Sequence, residues 1–177
     1  LFVLSAIMQK HIKSLDKSFS IIFRNYKDKL DLKEFKKLKN FCKSSNRSLF
    51  LANNVKLALS LKLDGVYIPS FNKNINLLSH KKKDFLILGS AHNIKEIRQK
   101  EKQGVDIIFV SPVFNVLKSK KYLGIIKFNL LSQITKKRII ALGGFNSFNL
   151  KKLNMLRAEG FAGISYFKKK RPHKGAA

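Results

Sequence analysis

Eight short apolar runs recur along this 177-residue chain, and they constrain its fold more than any other feature. Each run is nearly continuous in apolar residues, which is typical of a strand buried on both faces of a parallel sheet. Segments with helical periodicity lie between most of them. The runs span residues 1–5, 19–24, 48–53, 65–70, 84–90, 105–111, 138–144 and 161–167.

The segments between the runs predict amphipathic helices. The best marked is 93–104, where Asn93 precedes the helix, Glu96 follows three residues later as in a capping box, and Gly104 ends it. Segment 72–83 is weak and predicts no more than a turn of helix. The other helical patterns cover 7–15, 32–42, 126–134 and 147–156.

Eight strands alternating with about seven helices predict an α/β fold, a compact (β/α)8 TIM barrel. An open doubly wound sheet is the alternative, because barrels usually need roughly 200–250 residues. No helical pattern follows the eighth run, so we expect the last outer helix to be missing. We expect residues 1–167 to form a single domain and the basic segment 168–177 to be a disordered tail.

The formal charge of +27 is extreme, since 37 Lys and Arg face only 10 acids. Such a surface can bind nucleic acid or small anions, but the lysines are scattered rather than clustered, as a general lysine bias would leave them. The single cysteine, Cys42, cannot form an internal disulfide, which favours a cytoplasmic protein. No run approaches the ~18 apolar residues of a membrane span, so no membrane partner is expected.

The functional residues of such a barrel are expected directly after its strands, at the C-terminal face. None of the ten acids occupies such a position, and Asp64, Asp84 and Asp106 stand before strands instead. The predicted site is therefore polar and cationic, it has no carboxylate pair for acid–base chemistry, and its ligand should be anionic. Candidate residues at the strand ends are Arg24, Asn53, Ser90, His92, Ser111, Gly143, Gly144 and Ser165.

Four of these residues suggest specific roles. Gly143 and Gly144, followed by a helix expected at about Ser147, predict a phosphate site built from backbone N–H groups, although a plain tight turn would look the same. His92 is the only one of four histidines at a strand end, so it is the candidate proton shuttle, with a structural histidine as the alternative. Arg24 offers a planar fork suited to phosphate oxygens.

Several segments in order resemble the thiamine phosphate synthase/TenI superfamily. They are "FRNY", "LANNVKLALSLKLDGVYIP", "LGSAHNIKEIRQKEKQGVDIIFVSPVF", "IIALGG" and "GFAGISYF", which together span about residues 19–167. The resemblance implies a (β/α)8 barrel acting in thiamine biosynthesis. Synthases of the family join hydroxymethylpyrimidine diphosphate to thiazole phosphate and release diphosphate with magnesium, whereas TenI members include thiazole tautomerases.

The resemblance also implies roles for individual residues. Thiazole phosphate would bind to Gly143, Gly144, Ile164 and Ser165. Arg24 and Ser90 would face the diphosphate or the pyrimidine, and Ser111 would reach the ligand from the sixth strand. His92 matches the histidine that TenI-type tautomerases use for proton transfer, and many synthases carry a histidine there too.

The chain departs from the family pattern at the metal site and in one loop. Ala52 and Asn53 match an asparagine–aspartate pair, and Asn72 falls where another carboxylate is expected, so both magnesium carboxylates are absent. Mg²⁺ stays open as a cofactor, although amides bind it far less well than carboxylates. The loop after the sixth strand carries Lys118 and Lys120, which could offset diphosphate charge in place of the metal.

The sequence leaves several functions open. A synthase and a TenI-like tautomerase, to which the residues lean slightly, would both bind small phosphorylated substrates. A non-catalytic barrel that keeps only the phosphate grip is a further alternative, and the charge alone motivates a nucleic-acid binder. A homo-oligomer is also open.

Overall fold

The structure is a computed structural model, and it describes residues 2–5, 16, 18–25, 30–77, 82–116 and 121–163. Eight short strands lie in this part of the chain, and each overlaps one of the apolar runs. The strands are β1 (Phe2–Ser5), β2 (Ser20–Phe23), β3 (Leu49–Ala52), β4 (Gly65–Ile68), β5 (Leu86–Ala91), β6 (Ile107–Val110), β7 (Arg138–Leu142) and β8 (Gly160–Gly163).

All neighbouring strands pair in parallel and in chain order. Strands β2 to β8 form a curled seven-stranded sheet, and β1 pairs with both β2 and β8, which closes the sheet into a barrel. This sequential order differs from that of a doubly wound sheet, in which the order reverses at a switch point. The predicted parallel α/β architecture is therefore confirmed.

The helices that cover the sheet only partly match the predictions. They are α1 (Leu32–Ser44), α2 (Val55–Ser60), α3 (Ile94–Lys102), α4 (Gly124–Gln133) and a 3₁₀ helix (Leu150–Met155). The periodicity analysis missed α2, which is short and begins after the capping residue Asn54. The helical pattern at 7–15 and the residues after β8 lie outside the described part of the chain, so the count of about seven helices and the missing last outer helix stay predictions.

Helix α3 begins and ends where the sequence predicts. The Asn93 side chain accepts a hydrogen bond from Glu96 N at 3.0 Å, and the Glu96 carboxylate accepts one from His92 N at 2.7 Å. Gly104 adopts a positive φ of 70° just beyond the helix, as expected of a residue that ends one. Because this cap holds the backbone of His92, it links helix α3 directly to the end of β5.

The apolar runs are nearly continuous because they pack on both faces. Alternate residues point into the barrel, and the others pack beneath the helices. In β3, Phe50 points inward and Leu51 outward; in β6, Phe109 points inward and Ile108 outward. The inner layer comprises Ile22, Phe50, Ala52, Tyr67, Leu88, Ile107, Phe109, Ile140 and Ala162.

Acidic side chains close the N-terminal end of the sheet, opposite the expected site. Asp64 accepts a hydrogen bond from Leu49 N at 2.8 Å, and Asp106 accepts one from Ile87 N at 2.9 Å. Each carboxylate therefore ties the start of one strand to its neighbour. This agrees with the expectation that these acids stand before strands rather than at the functional face.

Of the described helices, none is both long and apolar enough to cross a membrane.

Candidate functional site

His92 and Ser111 meet where the adjacent strands β5 and β6 end. His92 Nδ1 lies 2.7 Å from the carbonyl oxygen of Ser111 and 3.2 Å from its hydroxyl. Since a carbonyl oxygen can only accept, Nδ1 carries the proton in this contact. In the neutral imidazole Nε2 is then unprotonated and can accept a proton. The His92 side chain is exposed, so a ligand can reach it.

Gly143 and Gly144 lie at the end of β7, packed against the turn that follows β6. Their φ angles are 94° and 76°, values that favour glycine. A Cβ on Gly144 would stand 2.5 Å from the carbonyl oxygen of Phe114, and Phe114 N donates to Gly143 O at 3.2 Å. The glycines are therefore required by close backbone contact as well as being suited to approach by an anion.

The helix expected at about Ser147 is absent, which corrects the prediction of a phosphate site at a helix N-terminus. Residues 147–149 form a turn, and the following 3₁₀ helix has only six residues. Asn146 and Asn149 cap one another: Asn146 Oδ1 accepts from Phe148 N and Asn149 N, and Asn149 Oδ1 accepts from Asn146 N. These side-chain amides stabilise the turn in place of a longer helix, so any anion grip here must come from the glycine backbone.

Tyr67, Ser90 and Arg24 form a polar group at the inward-facing ends of β4, β5 and β2. Burial raises the pKa of the Tyr67 hydroxyl, while its hydrogen bond with Ser90 and the charge of Arg24 act in the opposite direction. Tyr67 also packs edge-on against Phe109, with ring centroids 5.6 Å apart. The predicted residues Arg24 and Ser90 are thus connected through a tyrosine that the sequence analysis did not select.

The Tyr67 position could have been found from the sequence. Tyr67 is the only residue of the buried run Gly65–Ile68 with a polar tip, and buried tyrosine hydroxyls usually need a partner. What the sequence could not show was which partner, because that depends on the alignment of β4 with β5, where Tyr67 pairs with Leu88.

Asn53 and Asn72 are hydrogen-bonded to each other at the ends of β3 and β4. Asn72 Nδ2 donates to Asn53 Oδ1 at 2.7 Å, and Asn72 Oδ1 accepts from Asn74 N at 2.9 Å. Asn53 itself has a φ of 60°. Both amide oxygens, the atoms a divalent cation would bind, already accept hydrogen bonds.

These residues do not fit a magnesium site of the expected kind. Mg²⁺ is bound in proteins mainly through carboxylates, and neutral amides already engaged with each other are poor substitutes. Within the described part of the chain, no group of three or more His, Cys, Asp or Glu side chains is arranged to hold a metal ion.

The loop between β6 and α4 is closed at its base. Leu123 N donates to Pro112 O and Gly124 N donates to Val113 O, both at 2.9 Å, so the two ends of the loop lie side by side. The base of the loop therefore lies at the end of β6, next to Ser111, whose carbonyl oxygen contacts His92. Lys118 and Lys120, predicted to meet phosphate from this loop, lie outside the described residues, as do Ile164 and Ser165 after β8.

The predicted residues thus fall into three described groups at the strand ends: His92 with Ser111, Gly143 with Gly144, and Arg24 with Ser90. Asn53 forms a fourth group with Asn72. All four groups lie at the carboxyl edge of one parallel sheet. The arrangement offers an imidazole acceptor, a guanidinium, hydroxyls and a glycine turn, and it can bind an anion and move a proton.

Comparisons with known proteins find one family model and several related proteins whose names agree with one another. Residues 5–167 match the family model described as thiamine monophosphate synthase. A thiamine-phosphate synthase from Prochlorococcus marinus subsp. pastoris is 36% identical over 135 residues, which cover 74% of this chain and 38% of that protein. One from Methanococcus vannielii is 29% identical over 121 residues, covering 67% of this chain and 59% of that protein.

The chain therefore spans between about two fifths and three fifths of the length of these two curated relatives. Among solved structures, the thiamine phosphate pyrophosphorylase from Pyrococcus furiosus superposes with a TM-score of 0.74 at 18% identity. That match covers 93% of this chain and 84% of the other. At this identity the structural likeness establishes the fold.

Proposed function

Because this chain belongs to the thiamine monophosphate synthase family, we propose that it is an enzyme of thiamine biosynthesis that acts on small phosphorylated substrates. Its reaction as a transferase would couple thiazole phosphate to hydroxymethylpyrimidine diphosphate, giving thiamine phosphate and diphosphate. The observation that carries this proposal is the grouping of His92, Ser111, Gly143 and Gly144 at the ends of the neighbouring strands β5, β6 and β7.

In the coupling reaction, negative charge grows on the departing diphosphate, and fixed donors and cations lower the barrier by stabilising that charge. Arg24 and Ser90 would supply such contacts from the barrel interior, with Tyr67 holding Ser90. Lys118 and Lys120 would add point charges from the loop after β6. The thiazole phosphate would rest on Gly143 and Gly144, and on Ile164 and Ser165 after β8.

A TenI-like thiazole tautomerase is the second candidate, and the contact of His92 with Ser111 favours it. The Ser111 carbonyl holds the proton on Nδ1, which leaves Nε2 as the base of the neutral ring. A tautomerase needs to take a proton from one position of the thiazole and return it at another. Since a tautomerase releases no diphosphate, the replacement of the magnesium carboxylates by Asn53 and Asn72 would not impair its reaction.

We further propose that a compact (β/α)8 barrel without its last outer helix accommodates this site within a single domain of residues 1–167. The strand order supports this, since it runs from β1 to β8 and returns to β1. The basic segment 168–177 would then be a tail outside the domain.

The test is an assay of the purified chain with thiazole phosphate and hydroxymethylpyrimidine diphosphate, followed by mass analysis, with and without Mg²⁺. Formation of thiamine phosphate supports the synthase. A change of thiazole tautomer without coupling supports the second candidate. If neither product forms at any magnesium concentration while thiazole phosphate binds, the chain is a non-catalytic phosphate-binding barrel and the enzymatic proposal is wrong.

A further inference from the structure

Lys100 is fully buried inside the protein, although it belongs to the outer helix α3. Its ammonium group donates to Pro69 O at 2.8 Å, to Asn72 O at 3.0 Å and to the side chain of Gln103 at 2.8 Å. These acceptors use all three of its N–H groups. Burying a cation costs free energy unless all of its N–H groups are hydrogen-bonded. The buried position of Lys100 therefore depends on the loop after β4, which supplies the carbonyl acceptors.

Gln103 extends the same contact along the loop after β4. It is also fully buried, and its Nε2 donates to Asn72 O at 3.0 Å and to Asn74 O at 2.8 Å. Lys100 and Gln103 together therefore hold three carbonyls between Pro69 and Asn74. The backbone of Asn72 is held twice, once by each side chain.

These hydrogen bonds fix the backbone at Asn72 and Asn74, and the N–H group of Asn74 in turn sets the orientation of two side-chain amides at the site. Asn74 N can only donate, so the Asn72 side chain must turn its oxygen towards it. Its Nδ2 then faces Asn53, whose oxygen must accept. The Nδ2 group of Asn53 is left to face solvent, and no described residue accepts a hydrogen bond from it. The exposed end of the pair is thus an N–H donor.

We propose that Lys100 and Gln103 are positioning residues that hold loop 69–77 so that the Asn53–Asn72 pair presents amide N–H donors to an anionic phosphate group of the ligand. The pair would contact phosphate oxygens directly through its N–H groups. The inference rests on the proposed function, because it takes the anion to be the diphosphate end of that substrate.

The experiment measures binding of inorganic pyrophosphate to the full chain by calorimetry in magnesium-free buffer. Lys100→Met fills the same space without donors, and it should weaken binding about tenfold. Lys102→Met is the matched control: it removes the same charge from an exposed position of the same helix, and it should change binding less than about threefold at physiological salt. Equal losses in the two variants would reduce the effect to net charge and overturn the proposal.

A double-mutant cycle separates positioning from general stability. Asn53→Ala should weaken pyrophosphate binding, and adding Lys100→Met to it should cost less than about a further twofold, because Lys100 acts through the amide pair. Independent, additive losses would overturn the proposal. Should Lys100→Met not fold, Gln103→Leu keeps the lysine and should still weaken binding in wild type but not in Asn53→Ala.

Binding and catalysis fail in distinguishable ways. If no product forms in the synthase or tautomerase assay but pyrophosphate binding follows this pattern, the inference stands and the reaction was misassigned. If the wild-type chain does not bind pyrophosphate, the amide pair is not an anion site and the inference is wrong, whatever the reaction.

Discussion

The Cδ atom of Lys100 lies 2.9 Å from the point where a Cβ atom on Gly89 would stand. Gly89 lies in strand β5 on the face turned towards helix α3, and Val105 approaches the same point to 3.0 Å. Any side chain at position 89 would therefore push the lysine away from the carbonyls that it holds. A glycine inside a strand, usually a weakness, here makes room for a buried cation.

The buried Lys100 should make stability depend on pH in a defined direction. Burial lowers the pKa of its ammonium from 10.5 to about 8. Between these values the unfolded chain binds a proton that the folded chain has lost, so stability rises with pH. Relative to Lys100→Met, the wild type should gain up to about 3 kcal/mol from pH 8 to 10.5. Urea unfolding measures this, and a pH-independent difference, like that expected for Lys102→Met, would contradict it.

Two glycines of positive φ allow a matched test of the turn at the site. Gly144→Ala places a methyl 2.5 Å from the Phe114 carbonyl oxygen, whereas Gly124→Ala, at a similar φ of 68°, meets nothing within 4 Å. Gly124→Ala should lower the free energy of unfolding by about 1 kcal/mol, because only the backbone conformation is strained. Gly144→Ala should cost about 3 kcal/mol or more. Equal free energies of unfolding for the two variants would mean that the Gly144 contact is not tight.

Restoring carboxylates at the amide pair should create a response to magnesium. In Asn53→Asp/Asn72→Asp, two carboxylates replace the hydrogen-bonded amides, and each can bind Mg²⁺. At ten times the dissociation constant, binding would add about 1.4 kcal/mol to stability. Thermal unfolding in MgCl₂ and in NaCl of equal ionic strength should differ for the variant and agree for the wild type. If MgCl₂ raises the thermal unfolding midpoint of the wild type as much as that of the variant, the conclusion that Asn53 and Asn72 bind Mg²⁺ poorly is wrong.

His92 should matter to the reaction more than to folding. His92→Gln keeps an amide able to donate to the Ser111 carbonyl but removes the base, so turnover should fall about 10²- to 10³-fold with little change in stability. His80→Gln, at one of the three histidines that do not follow a predicted strand, is the control and should leave turnover unchanged. If His92→Gln retains full turnover in whichever assay is active, His92 is a structural residue.

Cys42 offers a probe of unfolding that is independent of the site. The thiol is 1% exposed, and burial raises its pKa to about 11. A disulfide reagent at pH 8 should therefore react no faster than the chain opens, since the reactive thiolate forms only after exposure. Absorbance of the released thiol measures the rate, and adding urea should increase it steeply. Immediate labelling in buffer would contradict the buried position.

The positions of the candidate residues in the structure show which parts of the candidate site the sequence could predict. The position of His92, Ser111, Gly143 and Gly144 at one edge of the sheet could be predicted, because residues that directly follow apolar runs must reach the same edge of a parallel sheet. The helix predicted from about Ser147 forms only as a turn and the 3₁₀ helix Leu150–Met155, because over six residues a helical period of 3.0 cannot be told from one of 3.6. Helix α2 was missed because one and a half turns carry too little periodicity.

The sequence alone determined that the strands are parallel, because runs that are apolar on both faces have few other stable arrangements. Their sequential order, which distinguishes a barrel from a doubly wound sheet, was decided only by the tertiary structure. The sequence also determined that none of the ten acids directly follows an apolar run. Only the tertiary structure decided that Lys100, on a helix rich in charged residues, is buried between that helix and the sheet. It also decided that Asn72 turns its side-chain amide towards Asn53. These contacts join α3, loop 69–77 and β3. Contacts between distant segments depend on packing geometry, which no local pattern of residues records.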